Sequence, residues 1–366
     1  MKAKTILAAI MAASAVAAMT AGADSTGTYT TNGVAWTWKT VDNSGGSPSY
    51  RLGGGTTTST AMPTDTVLDA SLIPWGYIDD GGVYRVVDTI SSYAFKDCKG
   101  LAGNLVVPST VRLVGTSSFT RTGITRAIVN ATQDGSTIIG SQAFFGCGSL
   151  KGVLLNGSGN VNMYQPFYGA AALKLVVFGP RIVRANNSTS PFFNVNGCRI
   201  FYSASQTSWD AESNWNNNEV IKYGAGQDFD MEFSDTENVV TVYPTTETSV
   251  TNALAWAPLF KDALGYDMKI AITNRIEVSQ SLEITESMLQ SVTLETPPWY
   301  LTFAVKNQEQ LDNVFAAVSV DTPIIIDIEG SGKNQITVPN GRKAAILAKS
   351  GCTFGRKLNG IIISFR

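Results

Sequence analysis

The sequence predicts a mainly β repeat protein. A solenoid with a parallel strand ladder is expected over residues 62–224, followed by a β-rich α/β module over 225–366. Three observations predict it. The phrase ISSYAFKDCKGL at 90–101 returns as IGSQAFFGCGSL at 139–150. Phenylalanines stand at 95, 119, 144, 167 and 192, spaced by 24, 25, 23 and 25 residues. A short β-rich run follows each of them. A period held so closely is the signature of stacked units, none of which can bury its apolar face alone.

Each unit has the same internal order. A small-residue segment carries Phe95, Phe119, Phe144, Phe167 or Phe192, and an aliphatic residue follows at Leu101, Ile124, Leu150 or Leu173 in the first four. The strand runs are NLVVP at 104–108, RAIVN at 126–130, GVLLN at 152–156, LVVF at 175–178 and CRIFY at 198–202. Stacking makes the Phe and Leu columns a continuous core, so they are structural positions and not a ligand site.

Four cysteines in an exported chain would invite disulfides. Cys98 and Cys147, however, share one offset, three residues after the repeat phenylalanine, and lie two units apart. With about 4.8 Å per rung their separation is roughly 10 Å, beyond the ~7 Å that a disulfide spans. Both are expected as unpaired, small buried hydrophobes.

IGSQAFFGCGSL followed by a short strand resembles the bacterial BspA-type leucine-rich repeat, as does the lead-in VYRVVDTISSYAF at 83–95. The hairpin-like NGVAWTWKTVDNSG at 32–45 resembles the segment that precedes such arrays. The resemblance covers roughly residues 62–223. The Ile-Pro pair usual at the strand survives only as VVP at 106–108. The resemblance implies a leucine-rich-repeat-type solenoid with a cell-surface or adhesive role toward host proteins or glycans. It also implies a Trp-bearing end segment. Residues 203–223 break the period, and Trp209 and Trp215 there are expected to cover the last rung.

Outside the array, residues 1–23 read as a signal peptide. A basic MKAK precedes an alanine-rich apolar run, and Ala21-Gly22-Ala23 fits a cleavage site. Secretion or display at the cell surface is therefore expected, with no transmembrane segment after cleavage. Residues 24–61 are expected as a β hairpin or cap followed by a linker, because 42–60 is rich in Gly, Ser and Thr. In 225–366, SVTNALAWAPLFKDALG and NQEQLDNVFAAVS are expected as helices. Each precedes strand, turn and strand. The second recurrence resembles the opening of a parallel β-helix, and a small α/β sandwich fits equally well. A modest contact between the two modules is expected near 203–230.

Composition narrows the chemistry. The formal charge of −2 offers no basic footprint for nucleic acid. Charged residues make up 15%, against about 25% in a typical soluble chain. No histidine is present, which removes histidine bases, histidine triads and histidine metal ligands. Asp228, Asp230 and Glu232 alternate along one strand face and could hold Ca²⁺; a solvated face is the plainer reading. Asp327 and Glu329 pose the same question. GSGKN at 330–334 lacks the first glycine of a phosphate-binding loop and reads as a turn. Trp36, Trp38, Trp75, Trp299 and Tyr300 fall outside the repeat columns and are expected in core or cap packing. The expectation is an exported binding, adhesion or surface-structural protein with no cofactor, no catalysis and a protein or glycan ligand. The alternative is a carbohydrate-active enzyme or envelope assembly protein with its chemistry in the C-terminal module.

Overall fold

The computed structural model describes residues 24–41, 47–130, 137–185, 190–212, 215–234 and 236–271, and beyond these chiefly the strands and helix named below. The chain enters as a hairpin, β1 (Ser25–Thr31) antiparallel to β2 (Val34–Val41). Asn32 and Gly33 form its turn, with φ of 53° and 73°. That pair of positive angles defines the tight turn whose twist matches the strands. β3 (Ser49–Leu52) pairs antiparallel with β2 and parallel with the first array strand, so it converts hairpin into ladder. Residues 49–52 therefore depart from the expected linker. The apolar and hydrogen-bonding groups of Ser49-Tyr50-Arg51-Leu52 outweigh the flexible composition around them: Leu52 is buried, and Ser49 bonds Asp88 and Thr89.

From there the chain alternates between two sheets. Its strands are β4 (Leu68–Asp69), β5 (Gly76–Ile78), β6 (Tyr84–Val86), β7 (Thr89–Ile90), β8 (Leu101–Val107) and β9 (Leu113–Val114). They continue as β10 (Gly123–Asn130), β11 (Thr137–Ile139), β12 (Gly152–Asn156), β13 (Ser158–Val161), β14 (Leu175–Phe178), β15 (Arg181–Arg184), β16 (Arg199–Ser203) and β17 (Glu219–Tyr223). One sheet runs β1-β2-β3-β7-β9-β11-β13-β15, and the other runs β17-β16-β14-β12-β10-β8-β4. Within the array all neighbours are parallel. β5 and β6 form a separate antiparallel hairpin.

Between the sheets lies the phenylalanine column. Phe95, Phe119, Phe144, Phe167 and Phe192 are fully buried and stack at centroid distances of 5.0, 5.5, 6.1 and 5.3 Å. Leu101, Ile124, Leu150 and Leu173 form a second buried column. Cys198 continues it in the fifth rung, a place the sequence reading left unassigned. In the cysteine column, Thr122 occupies the rung between Cys98 and Cys147, with its hydroxyl 3.5 Å from the Cys147 sulfur. Cys147 also donates to the Phe119 carbonyl at 3.0 Å. Cys98, Cys147 and Cys198 are free thiols, and burial pushes Cys98 and Cys198 up to about 12. Since the thiolate is the reactive form, iodoacetamide should leave all three unmodified in the native protein. It should modify all three in denaturant without reductant. A Cys98–Cys147 crosslinked peptide would refute the stacking.

Both ends of the array are sealed by tryptophan. Trp36 and Trp38 of β2 are buried, and Trp36 meets Phe95 edge-on at 6.4 Å. At the other end Trp209 stacks on Phe178 at 4.1 Å, and Trp215 tilts over Phe192 at 6.0 Å. The Arg184–Glu212 pair, 3.3 Å apart and nearly inaccessible, locks that cap. Trp75 is partly buried against the same core. Cys352, Trp299, Tyr300, Glu329 and GSGKN lie outside the described residues, and so does the side chain of Asp327.

The C-terminal half opens with the hairpin β18 (Phe229–Ser234) and β19 (Val239–Pro244). Helix α1 (Glu247–Leu264) then leads into β20 (Asp267–Ala271), which lies parallel to β19. Thr246 and Ser249 cap the helix start reciprocally, and Gly265 ends it with φ of 80°; these are the expected start and stop signals. There follow β21 (Ile276–Val278), β22 (Val292–Glu295), β23 (Leu301–Val305), α2 (Gln308–Ala317), β24 (Ile324–Ile328), β25 (Gln335–Ile336), β26 (Ala344–Ala348), β27 (Thr353–Phe354) and β28 (Ile362–Ser364). β22 extends the sheet β18-β19-β20, while β21-β23-β24-β26-β28 form another, parallel throughout. The strands between β20 and β23 thus alternate between two sheets, as those of the array do.

Helix α1 lies across the outer face of β10, β12, β14 and β16. Ile128, Leu154, Val177 and Phe201 are in register along that face. They join Trp256, Ala257, Phe260 and Ala263 of the helix in one buried cluster. Phe201 meets Trp256 at 5.0 Å and Phe260 at 5.5 Å, both edge-on. Gly152 makes this closeness possible: a Cβ there would lie 2.3 Å from the Ala263 carbonyl oxygen. Arg126 donates to the Asp262 carbonyl and Lys151 pairs with the Asp262 carboxylate at 2.8 Å. This contact is larger than the modest junction expected near 203–230. Its cause is that these strands are apolar on both faces, and the outer face needs cover.

Candidate functional site: the turn edge of the array

The segments carrying the phenylalanines form a third ladder. In each, the residue two before and the residue two after the phenylalanine have positive φ: Tyr93 and Asp97, Ser117 and Arg121, Gln142 and Gly146, Gln165 and Gly169, Ser190 and Asn194. Non-glycine residues resist that region. Here alternate peptide groups are turned so that each rung donates to the next. Phe95 N donates to Ser118 O, Phe119 N to Ala143 O, Phe144 N to Pro166 O and Phe167 N to Pro191 O, at 2.6–3.2 Å. Side chains reinforce the ladder, with Gln142 donating to Gln165 at 2.8 Å and Asp97 pairing with Arg121 at 2.6 Å. The edge is therefore as rigid as the sheets it joins.

The residue after the core phenylalanine reaches the surface in four of the five rungs, while Thr120 is buried and donates its hydroxyl to the Gln142 carbonyl. That column reads Lys96, Thr120, Phe145, Tyr168 and Phe193. Phe145 and Tyr168 stack at 4.9 Å, and Tyr168 and Phe193 at 4.8 Å. Phe193 is 42% exposed, and its two neighbours are partly buried by one another. Nearby Tyr164 is exposed as well. The three rings form an apolar stripe over the last three rungs, while Lys96, Asp97 and Arg121 make the first two rungs charged.

The sequence-selected residues divide cleanly. All the repeat-core positions lie beneath this edge and none reaches its surface. Asp230 and Glu232 on β18 and Asp228 just before it are solvent-exposed, alternating with the buried Phe229 and Met231. Glu232 accepts from the Tyr243 hydroxyl, and Asp230 from the Met231 backbone. Among the described residues no group of three or more acidic or cysteine side chains converges as a metal would require. The aromatic column escaped the sequence reading, although its signal is plain in retrospect: an aromatic directly after the core Phe in three consecutive units.

Parallel strands on two sheets, a buried Phe column and backbone-bonded turns between them define a leucine-rich-repeat-type solenoid. Residues 84–195 match the family described as BspA type leucine rich repeat region, in six copies, and they are such a region. No curated protein and no solved structure matches the chain significantly. Repeats of this type serve in binding or surface interaction. No helix among the described residues is long and apolar enough to cross a membrane.

Proposed function

We propose that this chain is an exported, non-catalytic adhesion protein that recognises a protein partner through the turn edge of its array. The stripe Phe145-Tyr168-Phe193 carries the reading. It is aromatic, reaches solvent most at Phe193 and is held on a hydrogen-bonded ladder, while the outer face of β10, β12, β14 and β16 is already covered by α1. Exposed aromatic anchors on rigid elements are what protein interfaces bury at their centres. A protein is favoured over a glycan because the rings stack on each other. Both faces of Tyr168 and the inner faces of Phe145 and Phe193, on which a sugar would lie, are occupied, so the stripe presents mainly ring edges.

The test is a panel of purified extracellular host proteins and a glycan array, read with the whole protein and with a Tyr168→Ala/Phe193→Ala double variant. Protein partners are expected, and the variant should lose them by tenfold or more, since aromatic hot spots cost upward of ~2 kcal/mol each. Binding that survives the double variant, or binding to glycans alone, would overturn the assignment.

A further inference from the structure

The two ends of the array are unequal. The C-terminal end is closed by Trp209, Trp215 and the buried Arg184–Glu212 pair. At the N-terminal end the core is covered, but the covering hairpin leaves a strand edge. β1 terminates its sheet, and among the described residues nothing pairs with its outer side. Natural edges are shielded by charge, proline, bulges or covering segments. β1 reads Ser-Thr-Gly-Thr-Tyr-Thr-Thr, seven residues with no charge, no proline and an unbroken register against β2.

The hairpin geometry fixes which groups that edge offers. Thr31 and Val34 flank the two-residue turn and so exchange both their backbone hydrogen bonds. Bonded and non-bonded pairs then alternate, which commits Tyr29, Gly27 and Ser25 to β2. Thr26, Thr28 and Thr30 are left with their N–H and C=O groups pointing outward. These three also carry the exposed side chains of the strand.

We propose that β1 is the docking edge for a second copy of this chain, paired antiparallel about a two-fold axis at Thr28. The register follows from the free groups. With Thr28 opposite its own counterpart, Thr26 falls opposite Thr30 of the other copy, and all three pairs are of the fully bonded kind. Six backbone hydrogen bonds close, and threonine faces threonine along the solvent side, a pairing that favours cross-strand hydroxyl bonds. On the other side Gly27 opposes Tyr29, so no two bulky groups collide and no like charges meet. Such an interface is isologous and closes at two copies.

The surroundings supply apolar area for the same contact. Among the described residues nine large hydrophobic side chains are exposed, and six of them fall within 67–86. Ile78, Tyr84 and Val86, each at least 45% exposed, form the outer face of the β5–β6 hairpin. That hairpin abuts the entry hairpin, Tyr77 stacking on Trp38 at 4.7 Å, and the turn before it is tied to the same place by Asn32 donating to the Leu72 carbonyl at 3.2 Å. A clustered apolar surface beside an open edge marks an association site.

The experiment is sedimentation equilibrium of the whole protein at up to roughly 100 µM, which reveals micromolar affinities. A particle of twice the chain mass is expected, that mass being 39.0 kDa with residues 1–23 still attached. Thr28→Lys sets two ammonium groups face to face at the axis and should return the protein to monomer, and Thr28→Glu should do the same. Mixing the two variants should restore the dimer as a Lys–Glu heterodimer. Should either fail to fold by circular dichroism, Thr26→Lys/Thr30→Glu, which pairs opposite charges across the axis, should dimerise. Thr26→Lys/Thr30→Lys should not. A monomeric wild-type protein, or a dimer indifferent to these charges, would overturn the proposal, the latter by placing the contact elsewhere.

Discussion

Phe144→Ala is expected to destabilise the protein by about 3–5 kcal/mol, the range for emptying a buried aromatic site. Phe144 is fully buried and stacked from both sides, on Phe119 at 5.5 Å and on Phe167 at 6.1 Å. Neither neighbour can collapse into the gap, because the backbone of each turn is hydrogen-bonded to the next rung. The cavity should therefore stay open, at the upper part of the range. Coupling in a solenoid is between nearest neighbours, so hydrogen exchange should quicken first in the turns of Phe119 and Phe167 and last in β1 and β2. Chemical denaturation reads the total. A loss below about 1 kcal/mol would mean that the column does not carry the stack.

How much of this was legible follows from what the repeat preserves. A core column shows because the same side chain must fill the same space in every rung, and Phe95 through Phe192 repeat without exception. The column one residue later has no such constraint. Lys96 and Thr120 precede Phe145, Tyr168 and Phe193 there, so the stripe is hidden unless the register is already known. Cys198 was missed for a related reason: a small hydrophobe fills a leucine place near the sealed end. The covered strand face was hardest to see. GVLL at 152–155 and LVVF at 175–178 carry no polar side chain, and such a run states that both faces are buried without saying by what. The partner, α1, begins at Glu247, far downstream of both runs, and reads as an ordinary amphipathic helix. The face of Asp228, Asp230 and Glu232, by contrast, was readable as solvated, because strict alternation with Phe229 and Met231 leaves the carboxylates nowhere else to point.

Residues 24–224 expressed alone are expected to be molten or to associate, although the repeats are complete within them. Removing α1 uncovers Ile128, Leu154, Leu175, Val177, Phe201 and Tyr223 together. Each such side chain is worth roughly 1.5–3 kcal/mol when buried. Their sum is on the order of 10 kcal/mol, comparable to the whole stability of an ordinary domain. The same face can be opened without truncation. In Gly152→Val the new side chain starts where the Ala263 carbonyl oxygen lies 2.3 Å away, and backbone cannot yield as a flexible side chain would. The C-terminal turn of α1 should lift, breaking the bonds from Arg126 and Lys151 to Asp262. Amide exchange should then rise in the last turn of α1 and along β12, while the turns around Phe95 and Phe119 stay protected. A monomeric 24–224 that unfolds cooperatively with full protection in its strands would show that the array needs no cover. A Gly152→Val protein with α1 exchanging as slowly as before would show that the helix is not held where it lies.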